Sequence, residues 1–153
     1  MAKHFSFIAE NVTPVSQNNR SSGLIARLQN DLTTAHNTKY GPLSMPKVPQ
    51  IIGSLQAKVF YLHRVPDYKD ADNISKPLWD SLNNHAYQDD KQIKYLETLK
   101  IDINTPDIFQ LDITEIEDTE LQSLLDFLSN VGGAKNRILY VDISDYESKK
   151  VRF

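Results

Sequence analysis

The sequence predicts an α+β fold, a mixed β-sheet with helices packed on it, in a single domain over residues 1–153. Three observations lead there. The chain has 153 residues, 40% of them apolar and 24% charged, which suits one domain with one sizeable core. Several segments alternate apolar and polar residues with a period of two. Others repeat their apolar residues at three and four, the spacing of an amphipathic helix.

The elements follow in order. HFSFIAE reads as a strand with Phe5 and Phe7 on one face, and the polar VTPVSQNNRSSG after it as a loop. In GLIARLQNDLTTAHNTKYG, Leu24, Ile25, Leu28 and Leu32 recur at helical spacing. Ser21 or Ser22 caps that helix, and Gly41-Pro42 ends it. The proline-rich GPLSMPKVPQ is a connector. IIGSLQAKVFYLHRV is a long, fairly central strand, in which Leu55, Ala57, Val59, Tyr61 and His63 alternate with Gln56, Lys58, Phe60 and Leu62.

A short helix comes next, from about Lys76 to Leu82. Proline lacks the N–H a helix interior needs, so Pro77 is expected in the first turn with Ser75 as cap. Leu78 and Leu82 face the core with Trp79 beside them. Asn84 takes the left-handed position after the helix. QIKYLETLKI is a strand with Ile93, Tyr95, Leu99 and Ile101 on one side, and DIFQLDITEI, residues 107–116, a further one. Strands joined by short turns suggest antiparallel pairs. ELQSLLDFLSNVGG is a helix with Leu121, Leu124, Leu125 and Leu128 inward and a Gly132-Gly133 stop. RILYVDIS is the last strand and YESKKVRF a charged tail.

Cysteine is absent, which excludes disulfides, thiolate metal sites and cysteine nucleophiles. No run is long and apolar enough for a membrane span, and the N-terminus lacks the pattern of a secretory signal, so a cytoplasmic protein with no membrane partner is expected. The net charge of -3 argues weakly against nucleic acid, but its distribution is uneven. Residues 1–64 carry seven basic and two acidic side chains, a net of +5, and the remainder nets -8. A basic half can face a polyanion while an acidic half holds cations.

The acidic residues concentrate in DADNISKPLWDSLNNHAYQDDKQI. Asp70 and Asp72 are two apart, and on extended chain they point the same way. If the strand after the helix returns alongside the strand before it, Asp89 or Asp90 comes near them. Two carboxylates about 4 Å apart repel by roughly 4 kcal/mol at an effective dielectric of about 20. A cation must oppose them: Lys76, or a hard divalent ion held by oxygen ligands. The plainer alternative is that these aspartates are ordinary caps and turn residues.

The same residues resemble the signature of the RusA family of Holliday junction resolvases. An aspartate pair two apart, Asp70 and Asp72, is followed by Asn73 and then Lys76. Asp80 lies in the helix, and Asp89-Asp90 precede Gln92 and Ile93. Lys100 matches the lysine of the family's next strand, and VTPVSQNNR looks like its early Pro-Val-Ser segment with a nearby arginine. Strand order is compatible over roughly residues 4–115. Asn84 stands where glycine is common, and residues 116–153 add a helix and a strand.

The resemblance implies a RusA-like homodimer that hydrolyses phosphodiesters in four-way DNA junctions with Mg²⁺, or Mn²⁺ in its place, during recombination and repair. It implies Asp70, Asp72 and Asp90 as metal ligands and Lys76 as the catalytic group that offsets charge on the phosphate. Asp80 would orient Lys76, and Asp89 is an alternative ligand to Asp90. Ser16, Asn18, Asn19 and Arg20 offer donors for phosphate oxygens, and Arg27, Lys58, Arg64 and Lys69 extend that surface. Tyr68 could stack on an unpaired base. His4, His36, His63 and His85 show no ligand spacing and read as surface or core-edge residues. Two other functions compete: a non-catalytic DNA-binding or assembly protein on this scaffold, and a nuclease for flaps or single strands.

Overall fold

A computed structural model describes residues 3–47, 50–105, 110–129 and 133–148. The described elements are β1 (Lys3–Glu10), α1 (Ser22–Tyr40), β2 (Leu55–His63), α2 (Ala71–Leu82), β3 (Ile93–Asp102), α3 (Asp118–Ser129) and β4 (Arg137–Asp145), with one-turn 3-10 helices at Gln17–Asn19 and Asp90–Gln92. The four strands form one mixed sheet in the order β1-β4-β2-β3. β4 runs antiparallel to both β1 and β2, whereas β2 and β3 are parallel. The last strand of the chain therefore lies inside the sheet.

Alternation along the strands builds two apolar layers. Phe5, Phe7 and Ala9 of β1, Leu55, Ala57, Val59 and Tyr61 of β2, and Leu139, Val141 and Ile143 of β4 share the main core with Leu28 and Leu32 of α1 and Ile74, Leu78, Trp79 and Leu82 of α2. Each such side chain contributes roughly 1.5–3 kcal/mol when fully buried. On the other face Leu62 and Ile138 meet Leu124 and Phe127 of α3. α1 begins as expected, with the Ser21 side chain accepting from the Leu24 N–H, and ends at Gly41, whose φ of +112° favours a residue without Cβ.

The strand expected over residues 107–116 is not found. Residues 107–109 lie outside the described residues, and 110–117 form no strand. Leu111 and Ile116 instead pack on the second core beside Phe60 and Ile101. Burying them there satisfies the alternation that looked like a strand. The antiparallel pair expected with the preceding strand is absent with it; β3 pairs in parallel with β2 through the α2 crossover, as a strand–helix–strand unit does.

α3 also differs in its inward face. Leu124 is buried, but so are Glu120 and Phe127, while Leu125 and Leu128 are exposed. The reason is an ion pair: the Glu120 carboxylate meets the Lys39 ammonium at 2.5 Å and accepts from Ser6 Oγ at 2.7 Å, which rotates α3 toward β1 and α1. Burial opposes the charge on Lys39, yet hydrogen bonds to Glu117 and Glu120 outweigh it and raise its pKa. Gly132 lies outside the described residues; Gly133 has a φ of +64°. His36 and His63 are fully inside the protein rather than at its edge, His36 against the rings of Phe5, Phe7 and Tyr40.

Candidate active site on helix α2

α2 starts earlier than its proline suggests. Its first residue is Ala71, its N-cap is Asp70, and Pro77 lies inside. A proline there removes the hydrogen bond to the carbonyl of Asn73. The apolar face made by Ile74, Leu78, Trp79 and Leu82 is buried against the sheet and offsets that loss. Ser75 is not the cap; its hydroxyl accepts from Thr98 Oγ1 at 3.0 Å and fastens α2 to β3. After the helix, Asn84 adopts a φ of +57°, as expected, and the Tyr87 hydroxyl donates to the Trp79 carbonyl at 2.5 Å.

This earlier start changes the aspartate geometry. Asp70 is extended and its side chain makes no capping bond, but Asp72 sits in the first helical turn and accepts from the Asn73 N–H. Both stand at the end where the helix dipole is positive, which favours negative charge. Residues 72, 76 and 80 advance about 40° per step around the helix and form one stripe. Along it, Lys76 Nζ donates to Asp80 Oδ1 at 2.7 Å and to Asp90 Oδ2 at 3.2 Å. Arg20 Nη2 meets the other Asp80 oxygen at 2.7 Å. The two carboxylates raise the pKa of Lys76, with the Asp80 hydrogen bond the larger cause. Arg20, Asp80, Lys76 and Asp90 thus form one alternating chain of charge.

Asp89 and Asp90 are separated by function within their turn. Asp89 caps the one-turn helix: its carboxylate accepts from the Lys91 N–H at 2.9 Å, which lowers its pKa, while its own N–H donates to Gln92 Oε1. Gln92 Nε2 reaches the carbonyls of Ile51 and Gly53 and pins the turn to the chain before β2. Asp90 is the member of the pair that faces Lys76.

Asp70, Asp72 and Asp90 supply oxygen donors only, the chemistry a hard divalent cation prefers. In kind they fit such an ion. The close gathering expected of them is not seen: among the described residues no group of three or more His, Cys, Asp or Glu side chains is drawn together as a metal site. The chain's own cations pair with the carboxylates further along the stripe, Lys76 with Asp80 and Asp90 and Arg20 with Asp80. Lys76 is 53% exposed, so its pair with Asp90 is weak and readily exchanged.

Beside the N-terminus of α2 an open cleft of about 420 Å³ is lined by Thr13, Ser16, Asn18, Pro66, Asp67, Tyr68, Lys69, Asn73 and Arg137. Ser16, Asn18 and Lys69 meet here although they are distant in sequence. Ser16 also caps the Gln17–Asn19 turn by accepting from Asn18 N. Tyr68 is 95% exposed at the rim.

Asp67 and Arg137 are residues the sequence did not single out. The Asp67 side chain is buried and accepts from Tyr61 Oη at 2.8 Å, from the Lys69 N–H at 3.0 Å and from Lys69 Nζ at 3.2 Å. Burial opposes its ionisation, but these donors outweigh burial and lower its pKa. Lys100 Nζ donates to the Asp67 carbonyl at 2.7 Å. The loop that delivers Lys69 and Asp70 is therefore tied to β2 and β3. In the sequence, Asp67 after a proline looks like any turn aspartate.

Other expected contacts lie elsewhere. Arg64 turns to the opposite side, where Nη2 donates to the Phe127 carbonyl and the guanidinium stacks on the Phe127 ring at 5.0 Å. Its neighbour residues make it an anchor for α3 rather than part of the cleft. Lys58 is on the α3 side of the sheet, 3.9 Å from Glu97. Arg27, by contrast, stays near the cleft, donating to the carbonyl of its lining residue Thr13 at 3.3 Å.

Residues 44–109 match the family model described as Endodeoxyribonuclease RusA. No curated protein matches the chain. The matched segment runs through β2, α2 and β3 and includes Asp70, Asp72, Lys76, Asp80, Asp89 and Asp90. Nucleases of that family are generally dependent on a divalent metal. No helix among the described residues is long and apolar enough to cross a membrane. Over its strand–helix–strand segment, residues 44–109, the chain is similar to the RusA family of endodeoxyribonucleases.

Proposed function

We propose that the protein is a Mg²⁺-dependent endonuclease that resolves four-way DNA junctions as a homodimer, with Mn²⁺ able to replace Mg²⁺. The observation that carries this reading is the stripe on α2, which presents Asp72, Lys76 and Asp80 on one face and joins Lys76 to Asp90 of the next element. Asp70, Asp72 and Asp90 would hold the ion. When bound, a divalent ion polarises the scissile phosphate and lowers the pKa of a bound water.

The chain's own groups account for the rest. Lys76 is held protonated by Asp80 and offers its charge to the phosphate as negative charge builds up. Asp80, itself held by Arg20, directs the ammonium along the stripe independently of Asp90, which would be free to serve as a ligand. Ser16, Asn18 and Lys69 present donors to the DNA backbone next to the carboxylates. A C₂ dimer would direct two such sites at symmetry-related strands of a junction.

The test is cleavage of a synthetic four-way junction in Mg²⁺ by the wild type and by Asp72→Asn. Cutting by the wild type, lost in the variant with its circular dichroism unchanged, is expected. A wild type that binds the junction but never cuts it would point to a DNA-binding protein on this scaffold. Equal rates on junction, fork and duplex would point to a general nuclease for flaps and single strands.

A further inference from the structure

Arg137 is the first residue of β4, beyond the segment the family model covers, and it pairs with His63 in the register of the sheet. Its side chain lines the cleft together with Lys69 and Asn73, which flank the start of α2. Nη1 donates to Thr13 Oγ1 at 3.0 Å, the guanidinium also acts on the Tyr61 hydroxyl, and Nε is buried with no hydrogen-bond partner among the described residues. Among the described residues Arg137 makes no ion pair. The one carboxylate in the cleft, Asp67, is committed to Tyr61 and Lys69. The cleft thus holds two cations against one occupied anion, with the neutral donors Ser16, Asn18 and Asn73 around them.

We propose that this cleft is a phosphate subsite in which Arg137 takes a DNA phosphodiester group neighbouring the scissile one. The guanidinium is planar, permanently charged and forked, the shape that engages two phosphate oxygens at once. A carboxylate partner would have cancelled it, and none is supplied among the described residues. Lys69 lines the same cleft and is one residue before Asp70, so a strand whose scissile phosphate met the carboxylates would bring a neighbouring phosphate toward Arg137. The exposed Tyr68 ring at the rim is placed to stack on the base between them. The added C-terminal strand thereby gains a role in the site, because it brings a cation that the β2–α2–β3 unit lacks. This proposal rests on the nuclease reading above.

The experiment measures binding of a fluorescent four-way junction in EDTA across a range of salt, for the wild type and Arg137→Gln. One phosphate contact releases about one counterion, so the slope of log K against log salt should become shallower by about 1, with affinity several-fold lower at low salt. Arg137→Lys should recover most of the slope. An unaltered slope and affinity in Arg137→Gln overturn the subsite. Arg137 also braces Thr13, so a second measurement uses the folded wild type alone. The ¹⁵N side-chain resonance of Arg137 Nε should shift on titration with a thymidine dinucleotide, and a stationary resonance overturns the proposal. A wild type that neither binds nor cuts branched DNA defeats the nuclease reading itself. A wild type that does both while Arg137→Gln matches it defeats only the subsite.

Discussion

Asp67→Asn removes one charge from a buried carboxylate and almost no volume. One carboxylate oxygen accepts from the Lys69 N–H and the other from the Tyr61 hydroxyl, while Lys69 Nζ lies 3.2 Å from both. An asparagine amide must turn its NH₂ toward one of those donors. Turned to Tyr61, it keeps the backbone bond but loses a charge-assisted hydrogen bond and the ion pair with Lys69. A hydrogen bond to a charged group contributes about 1.5–3 kcal/mol, and Tyr61 can rotate its hydroxyl to accept, so a loss of about 2 kcal/mol is expected. With a urea slope of about 2 kcal/mol/M, the unfolding midpoint falls by about 1 M.

The pH dependence follows from the sign of the Asp67 shift. Its pKa is lower in the folded protein than its ordinary value of 3.8, so its stabilisation is present above that value. It disappears as pH falls through the lower folded pKa. The gap between wild type and Asp67→Asn should therefore be full at neutral pH and close in strong acid. Loosening Pro66–Asp70 also displaces the carboxylates, and a displacement of about 1 Å costs on the order of a hundredfold in rate. A variant with the wild-type urea midpoint at pH 7 and the wild-type cleavage rate would show that Asp67 positions nothing.

Three further outcomes are expected. Lys76→Met should shift stability by less than about 1 kcal/mol, because its ion pairs are half exposed, yet lower junction cleavage by at least tenfold with binding retained; gel-based binding and single-turnover rates check both. Glu120→Ala should cost about 3 kcal/mol in urea unfolding, since it strips a buried carboxylate from Lys39 and Ser6 and loosens α3. Asn84→Ala should cost about 1 kcal/mol and Asn84→Gly little, because φ is +57° there; thermal unfolding distinguishes them.

Much of the framework is legible along the chain. Ser21 and Gly41 mark the ends of α1, the alternation from Leu55 to His63 marks the central strand, and Leu78 and Leu82 mark the inner face of α2. The spacing from Asp70 to Asp90 carries the resemblance to the RusA family, whose model matches residues 44–109. These are properties of short stretches: period, cap chemistry and turn preference act within a few residues.

Tertiary contacts decided the rest. Pro77 argues for a late helix start when read alone, but burial of Ile74 and the Ser75–Thr98 bond add the first turn and turn Asp72 away from the extended geometry. Leu111 and Ile116 alternate like a strand but fill the second core. Arg64 and Arg137 are both arginines at strand ends; only the fold sends one under α3 and the other into the cleft. The reason is common to all three. A side chain's surroundings depend on residues far away in the chain, and their arrangement is settled when the sheet order β1-β4-β2-β3 brings the first loop, α2 and the last strand together.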